Sequence, residues 1–138
     1  MLIDSNVFME IALMRQRAKI CADLLYAIKT DMIVEDVFVT KFTLNAIEAM
    51  LSGKQKDFLR DLLILVYQGK IKTVKNMSED DMSALAIQSE IGLDFDDTVQ
   101  FLAASRLGTY LVTYDQDFAK TSLLTKTPEE VLSELSKA

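Results

Sequence analysis

The sequence predicts an α/β protein, a three-layer α/β/α sandwich with a mainly parallel central sheet. The first observation is that short β-branched segments alternate with longer segments of helical periodicity. The second is composition: 138 residues, half of them hydrophobic, with one proline and four glycines, predict a single domain over residues 1–138. Alternating strands and helices place helices on both faces of a parallel sheet, and ligands gather at the carboxyl ends of its strands.

Four segments have the length and composition of strands, namely MLID, EDVFVT, IKTV and TYLVT. Segments with helical periodicity lie between or after them, over 15–29, 42–53, 54–69, 78–92 and 98–108. A final helix is predicted to begin at Thr127, because Thr127 and Glu130 can form a capping box and Pro128 suits the first helical position.

Three features of the composition exclude classes of function. The chain has no histidine, which rules out Ser-His-Asp triads, Cys-His pairs and histidine-ligated zinc. The single cysteine, Cys21, cannot form an internal disulfide and favours a reducing, cytoplasmic setting. The N-terminus lacks the features of a signal peptide, and the most apolar stretch, residues 58–68, is short and contains charges, so no membrane span is predicted.

The charge balance is acidic, with 21 acids against 15 bases and a net charge of −6. Proteins that hold nucleic acid by phosphate contacts alone are usually basic. The ligand is therefore not nucleic acid, or metal ions bridge the acids to phosphate. Two basic groups could still contact phosphate, although a solvated helix face explains each more simply: Arg15, Arg17 and Lys19, and Lys54, Lys56 and Arg60.

Acidic residues follow two of the predicted strands. Asp4 ends the first strand, where a turn or capping role fits as well as a catalytic one. Thr113, Asp115 and Asp117 follow the strand TYLVT in a loop, the usual location of site residues on a rigid scaffold. Asp115 is nearer the strand end and is preferred, but the sequence does not separate it securely from Asp117.

Two further acids are predicted to point inward from helices. Glu48 lies in a helix with almost no polar side, and a buried carboxylate needs an ion-pair partner or a shared cation. The segment LDFDDTVQ places Asp94, Asp96 and Asp97 at a helix start, where simple capping is the alternative explanation. Asp97 shares a packing face with Phe101, so it is the candidate to face the site, whereas Asp94 and Asp96 suit capping or solvent.

Four carboxylates that converge from separate segments repel one another unless a cation binds them. Oxygen ligands of this kind suit Mg²⁺ or Mn²⁺. Such ions can polarise a phosphate and activate a water without histidine, which is the chemistry of phosphodiester hydrolysis.

The order MLIDSNV, TLNAIEAML, DFDDTVQFLAASRLG and LVTYDQDF closely resembles the PIN-domain nucleases, in particular the small VapC-like toxins and their archaeal relatives. The resemblance covers nearly the whole chain. It implies Mg²⁺- or Mn²⁺-dependent RNA cleavage, homodimerisation and often a cognate antitoxin that inserts into the site. Carried over residue by residue, it makes Asp4, Glu48, Asp97 and Asp115 the metal-binding acids, supported by Asn6 and Thr113.

Two alternatives remain from other classes of protein. Asp94, Asp96 and Thr98 spell the DxDxT signature of the haloacid dehalogenase phosphatases, which requires a buried strand immediately before it. The preceding residues look helical instead. The other alternative is a module of the same fold that binds RNA or protein without cleaving, for which metal-free RNA binding at full strength is the distinguishing observation.

Overall fold

Five parallel strands form the centre of the molecule, in the spatial order β3-β2-β1-β4-β5. The structure is a computed structural model and describes residues 1–75 and 78–137. The strands are short: β1 Leu2–Ile3, β2 Phe38–Thr40, β3 Lys72–Val74, β4 Leu111–Val112 and β5 Thr125–Lys126.

Seven α-helices connect and cover these strands in the described ranges. They are α1 Ser5–Ala12, α2 Ala18–Lys29, α3 Lys41–Leu51, α4 Lys56–Tyr67, α5 Ser78–Ile91, α6 Phe95–Leu107 and α7 Pro128–Ser136. A short 3-10 helix, Gln116–Lys120, lies between β4 and β5. None of the helices described here combines the length and apolar character needed to cross a membrane.

The pleat of the sheet divides the buried residues between two cores. Ile3 and Val112 face a large core built with α1, α2, α3, α4 and α7. Their neighbours Leu2 and Leu111 face a smaller core with Ala104 of α6. The three-layer α/β/α sandwich with a parallel sheet is therefore confirmed.

Two local differences from the sequence prediction have clear causes. The helical pattern that begins near Arg15 is preceded by a separate helix, α1, and Met14 adopts a left-handed φ of 52° at the break between α1 and α2. The fifth strand was not predicted, because Thr125 and Lys126 carry no strand-like apolar pattern and are ordered by pairing with β4. The predicted capping box at Thr127 is confirmed.

Parallel pairing places the functional segments at one edge of the sheet. Ile3 is in register with Val112, and the Asp4 N–H donates to the Val112 carbonyl at 3.0 Å. The residues that follow β1 and β4, Asp4 and Thr113, are therefore neighbours in space. Helix α3 begins directly after β2 and contributes its first turn to the same edge.

Candidate active site

An acidic cavity of about 230 Å³ lies at the carboxyl ends of β1 and β4. The residues lining it come from α1, α3, α6 and the loop after β4. Five of them are aspartates: Asp4, Asp94, Asp96, Asp97 and Asp115. No lysine or arginine lines this cavity among the described residues.

The carboxylate of Asp4 is fixed at the bottom of the site. It caps α1 and is 5 % exposed. Four groups donate to it: the Ser5 N–H (2.8 Å) and Gln100 Nε2 (3.3 Å) to Oδ1, and Thr113 Oγ1 (2.8 Å) and Asn6 Nδ2 (3.3 Å) to Oδ2. These bonds occupy its lone pairs. Burial raises the pKa of the Asp4 carboxyl above its ordinary value, an effect that the hydrogen bonds only partly offset.

Thr113 and Asn6 connect β4 to α1 around this carboxylate. Thr113 Oγ1 accepts hydrogen bonds from Asn6 Nδ2 and from the Asp115 N–H, both at 3.0 Å, while it donates to Asp4. Asn6 Oδ1 in turn accepts from the Tyr114 N–H at 3.4 Å. The two predicted supporting residues thus contact Asp4 directly and hold the start of the loop that carries Asp115.

Gln100 and Thr43 belong to the site, although the sequence did not indicate them. Gln100 is 4 % exposed, and its Nε2 donates to Thr43 Oγ1 at 2.6 Å as well as to Asp4. Its Oε1 is buried without a hydrogen-bond partner among the described residues. The sequence did carry one indication of this role: Gln100 stands between Val99 and Phe101 in a helix that packs on the core. A polar side chain in such a position usually has hydrogen-bond partners.

Asp97 lies in the first turn of α6 and faces the other acids. The side chain of Asp94 caps this helix and accepts the Asp97 N–H at 2.9 Å, as predicted for a capping residue. Burial, and then the negative charges of Asp94, Asp115 and Asp4, raise the pKa of the Asp97 carboxyl to about 7. No basic residue pairs with Asp97 in the described ranges, so its charge is balanced only when a proton or a cation binds.

The loop after β4 supplies two carboxylates to the cluster. Carboxylate oxygens of Asp97, Asp115 and Asp117 all lie within 4.8 Å of one another. Asp115 lines the cavity, and its Oδ1 accepts the Asp117 N–H at 2.9 Å. Asp117 also lies 4.0 Å from Lys120 Nζ. Asp115 and Asp117 therefore both bring a carboxylate oxygen close to Asp97, and the structure does not separate them as candidate metal ligands.

The structure does not bring Glu48 into this cavity. Thr43 and Ala46 are the residues by which α3 lines it, along with Phe42. Glu48 lies two positions after Ala46, so its side chain is rotated by about 200° around the helix axis from that of Ala46. It also lies five positions after Thr43, which is about 7.5 Å further along the axis. The helix is also less buried than its composition indicated, since Met50 is 52 % exposed and Glu48 itself is only half-buried. The premise that Glu48 is a buried carboxylate in need of a cation is therefore not met.

The PIN domain family model matches residues 1–124. This chain belongs to the PIN domain family. The structure of PAE2754 from Pyrobaculum aerophilum resembles it with a TM-score of 0.67 and 23 % identity, over 99 % of this chain and 89 % of that one, which reflects a shared fold. No curated protein is significantly similar in sequence.

PIN domains are generally nucleases and typically use divalent metals. The donor set of this PIN domain fits such an ion, because the cluster offers carboxylate oxygens from Asp97, Asp115 and Asp117. Lys120 approaches only Asp117, at 4.0 Å, and no described lysine or arginine lines the cavity. An ion that also bound Asp4 would have to replace one of its two longer hydrogen bonds, from Asn6 or Gln100.

The DxDxT segment of this PIN domain lacks the context that a phosphatase requires. Helix α5 ends at Ile91, and Gly92 follows with a left-handed φ of 78°. The element immediately before Asp94 is therefore a helix and not a strand, and the Asp94 side chain caps α6. Thr98 donates its hydroxyl to the Asp94 carbonyl at 2.7 Å, a contact internal to the helix start. The signature is therefore a helix-capping sequence here.

Proposed function

We propose that this PIN domain is a divalent-metal-dependent endoribonuclease that hydrolyses RNA phosphodiester bonds. The observation that carries the proposal is the convergence of carboxylate oxygens of Asp97, Asp115 and Asp117 within 4.8 Å. Asp97 and Asp115 line the same cavity as buried Asp4, and no described lysine or arginine lines it. Carboxylates so arranged repel one another, and a divalent cation relieves the repulsion.

In the proposed reaction, the chemistry that a bound Mg²⁺ or Mn²⁺ would supply is Lewis-acid activation of the phosphate and of a water molecule. Asp97 and Asp115 would hold the ion from α6 and from the loop after β4, and Asp97 would have to be deprotonated to bind it. Asp4 contributes negative charge from a position fixed by Thr113 and Asn6. The role of Asn6 and Thr113 is therefore to keep the carboxylates in place while the ion and the phosphate bind.

The cavity rim also suits a single strand of RNA. Phe42 lines the cavity beside the acids, is 37 % exposed, and packs edge-to-face against Phe95 with ring centroids 6.4 Å apart. An exposed ring held in this way can stack on an unpaired base. A double helix would not present a base to it.

The decisive experiment is cleavage of labelled single-stranded RNA by the purified protein with Mg²⁺, with Mn²⁺ and with a chelator. We expect internal cleavage that depends on either metal and is lost with the chelator. A phosphomonoester serves as the control substrate and should not be hydrolysed. Failure to cut RNA with both metals, or equal cleavage with chelator present, contradicts the proposal.

We further propose that the protein acts as the toxin of a toxin–antitoxin pair, in the cytoplasm and as a homodimer. An apolar groove of about 300 Å³ between α2 and α4, with Tyr26 62 % and Ile64 43 % exposed at its rim, supports binding of a protein partner. Expression of the wild type should arrest growth, and Asp97→Asn should relieve the arrest. Sedimentation of the purified protein as a monomer would contradict the dimer.

A non-catalytic binding module is the second candidate, favoured by two observations. Helix α3 contributes no carboxylate to the cavity, and the four lone pairs of Asp4 are already occupied. Under this hypothesis RNA binds equally well with and without a divalent ion and is not cut. The metal-dependent cleavage assay separates the two candidates.

A further inference from the structure

A second cavity, of about 320 Å³, adjoins the acidic one and shares Asp115 with it. Its lining includes Arg17 at the start of α2, Tyr114 next to Asp115, and Lys126 of β5. The acidic cavity has no basic side chain among the described residues, whereas the neighbouring cavity carries two cations, Arg17 and Lys126, next to the shared Asp115.

Arg17 is held in this cavity by stacking. Its guanidinium carbon lies 4.1 Å from the centre of the Tyr114 ring, within the range of a cation–π contact. The ring is itself fixed, because the Tyr114 hydroxyl donates to Glu129 and the Tyr114 N–H donates to Asn6 Oδ1. Asn6 also donates a hydrogen bond to Asp4, so the same residue helps to position both the Tyr114 ring under the guanidinium and the Asp4 carboxylate.

The guanidinium of Arg17 forms no ion pair with a described carboxylate. Lys126, the other cation of this cavity, pairs with Glu134 at 2.9 Å. The two glutamates of the cavity are engaged within the chain: Glu129 accepts from Tyr114, and Glu130 from the capping threonine of α7. Arg17 therefore retains the hydrogen-bond donors that a further anion would need.

We propose that Arg17, stacked on Tyr114 beside Asp115, is a subsite for a backbone phosphate of the RNA strand adjacent to the phosphate that is cleaved. The inference rests on the proposed function, because it takes the acid cluster as the position of the cleaved bond. A planar guanidinium matches the oxygens of a phosphodiester better than an ammonium does. The subsite also offsets the repulsion that a strand meets at the five aspartates.

The test is the salt dependence of RNA binding. A short fluorescein-labelled single-stranded RNA is titrated by anisotropy at a series of KCl concentrations, in an Asp97→Asn background that does not cut it. Each phosphate contact of a single strand contributes about 0.7 to the slope of log K against log salt. We expect Arg17→Gln to bind more weakly and to lower the slope by about 0.7.

The matched control is Arg60→Gln, the same substitution on α4, where an exposed arginine pairs with Asp57 at 3.4 Å and lines neither cavity. Its slope should equal that of the parent protein. A second variant, Arg17→Lys, keeps the charge but not the planar stack, and should bind RNA more weakly than the parent while melting at the same temperature.

An unchanged slope and affinity in Arg17→Gln overturn the subsite, as does an equal loss in Arg60→Gln. The two proposals fail separately. If the wild type does not cut RNA but Arg17→Gln lowers the slope, Arg17 is a phosphate contact and the nuclease assignment is wrong. If the wild type cuts RNA and the slope is unchanged, only the subsite is wrong.

Discussion

The hydroxyl of Thr113 donates a hydrogen bond to Asp4, with Oγ1 2.8 Å from Oδ2. The two residues are 109 positions apart in sequence, and the parallel pairing of β1 with β4 brings them together. Because Thr113 Oγ1 also accepts the N–H of Asp115, one hydroxyl sets the positions of two site carboxylates.

Replacement of this hydroxyl by a methyl group is expected to weaken both the fold and the site. A hydrogen bond to a charged group contributes about 1.5–3 kcal/mol, so Thr113→Val should lower the free energy of unfolding by a similar amount. Metal affinity should fall about 10- to 100-fold, as for other groups that orient a ligand. Chemical denaturation and metal titration measure the two effects. Thr73→Val, at an exposed position of β3, is the control and should change neither.

Asp97 and Asp94 are expected to differ sharply in their importance for activity. Asp97→Asn removes a charged ligand at constant volume and should lower RNA cleavage by more than about 100-fold, beyond the effect typical of outer residues. Asp94→Asn should retain most activity, because asparagine caps a helix as well as aspartate does. Single-turnover cleavage of labelled RNA compares them. Full activity in Asp97→Asn, or its selective loss in Asp94→Asn, would contradict the assignment.

The stability of the metal-free protein should fall as pH rises through the range in which Asp97 titrates. The folded protein binds the Asp97 proton more tightly than the unfolded chain, since the pKa is raised from 3.8 to about 7. The folded state therefore loses relative stability between about pH 4 and pH 7, and the loss is complete above the folded-state value. Thermal melting with a chelator measures it. In Asp97→Asn this part of the pH dependence should disappear, and a wild-type profile in that variant would exclude Asp97 as its source.

Glu48→Gln should leave metal affinity within about twofold of the wild type, a change of less than roughly 0.5 kcal/mol. The reason is geometric: the face and the turn of α3 that line the cavity belong to Thr43 and Ala46. Calorimetric titration with Mn²⁺ provides the measurement, with Asp97→Asn as the variant that should lose binding. A comparable loss in Glu48→Gln would show that α3 rotates or shifts when the ion binds.

The sequence predicted the strand-and-helix alternation and the positions of Asp4, Asp97 and Asp115, because strand ends and helix starts are marked by local residue patterns. It could not predict Gln100, whose role depends on contacts with Asp4 and Thr43 that are distant in sequence. Glu48 was placed inward because apolar residues around it suggested burial on all sides. Only packing decides which side of such a helix is covered.

The buried thiol of Cys21 can be used to detect local opening of the structure around it. Its thiol is fully buried against Tyr114, with Sγ 3.6 Å from the hydroxyl oxygen, and burial raises the pKa of the thiol. A thiol-alkylating reagent can therefore react only when the packing around Cys21 opens, and one such opening is the separation of α2 from the loop that follows β4. Since Arg17 and Asp115 lie on the two sides of the Cys21–Tyr114 contact, the rate of Cys21 alkylation is sensitive to separation of the two sides of the candidate phosphate subsite. A bound RNA strand should slow it.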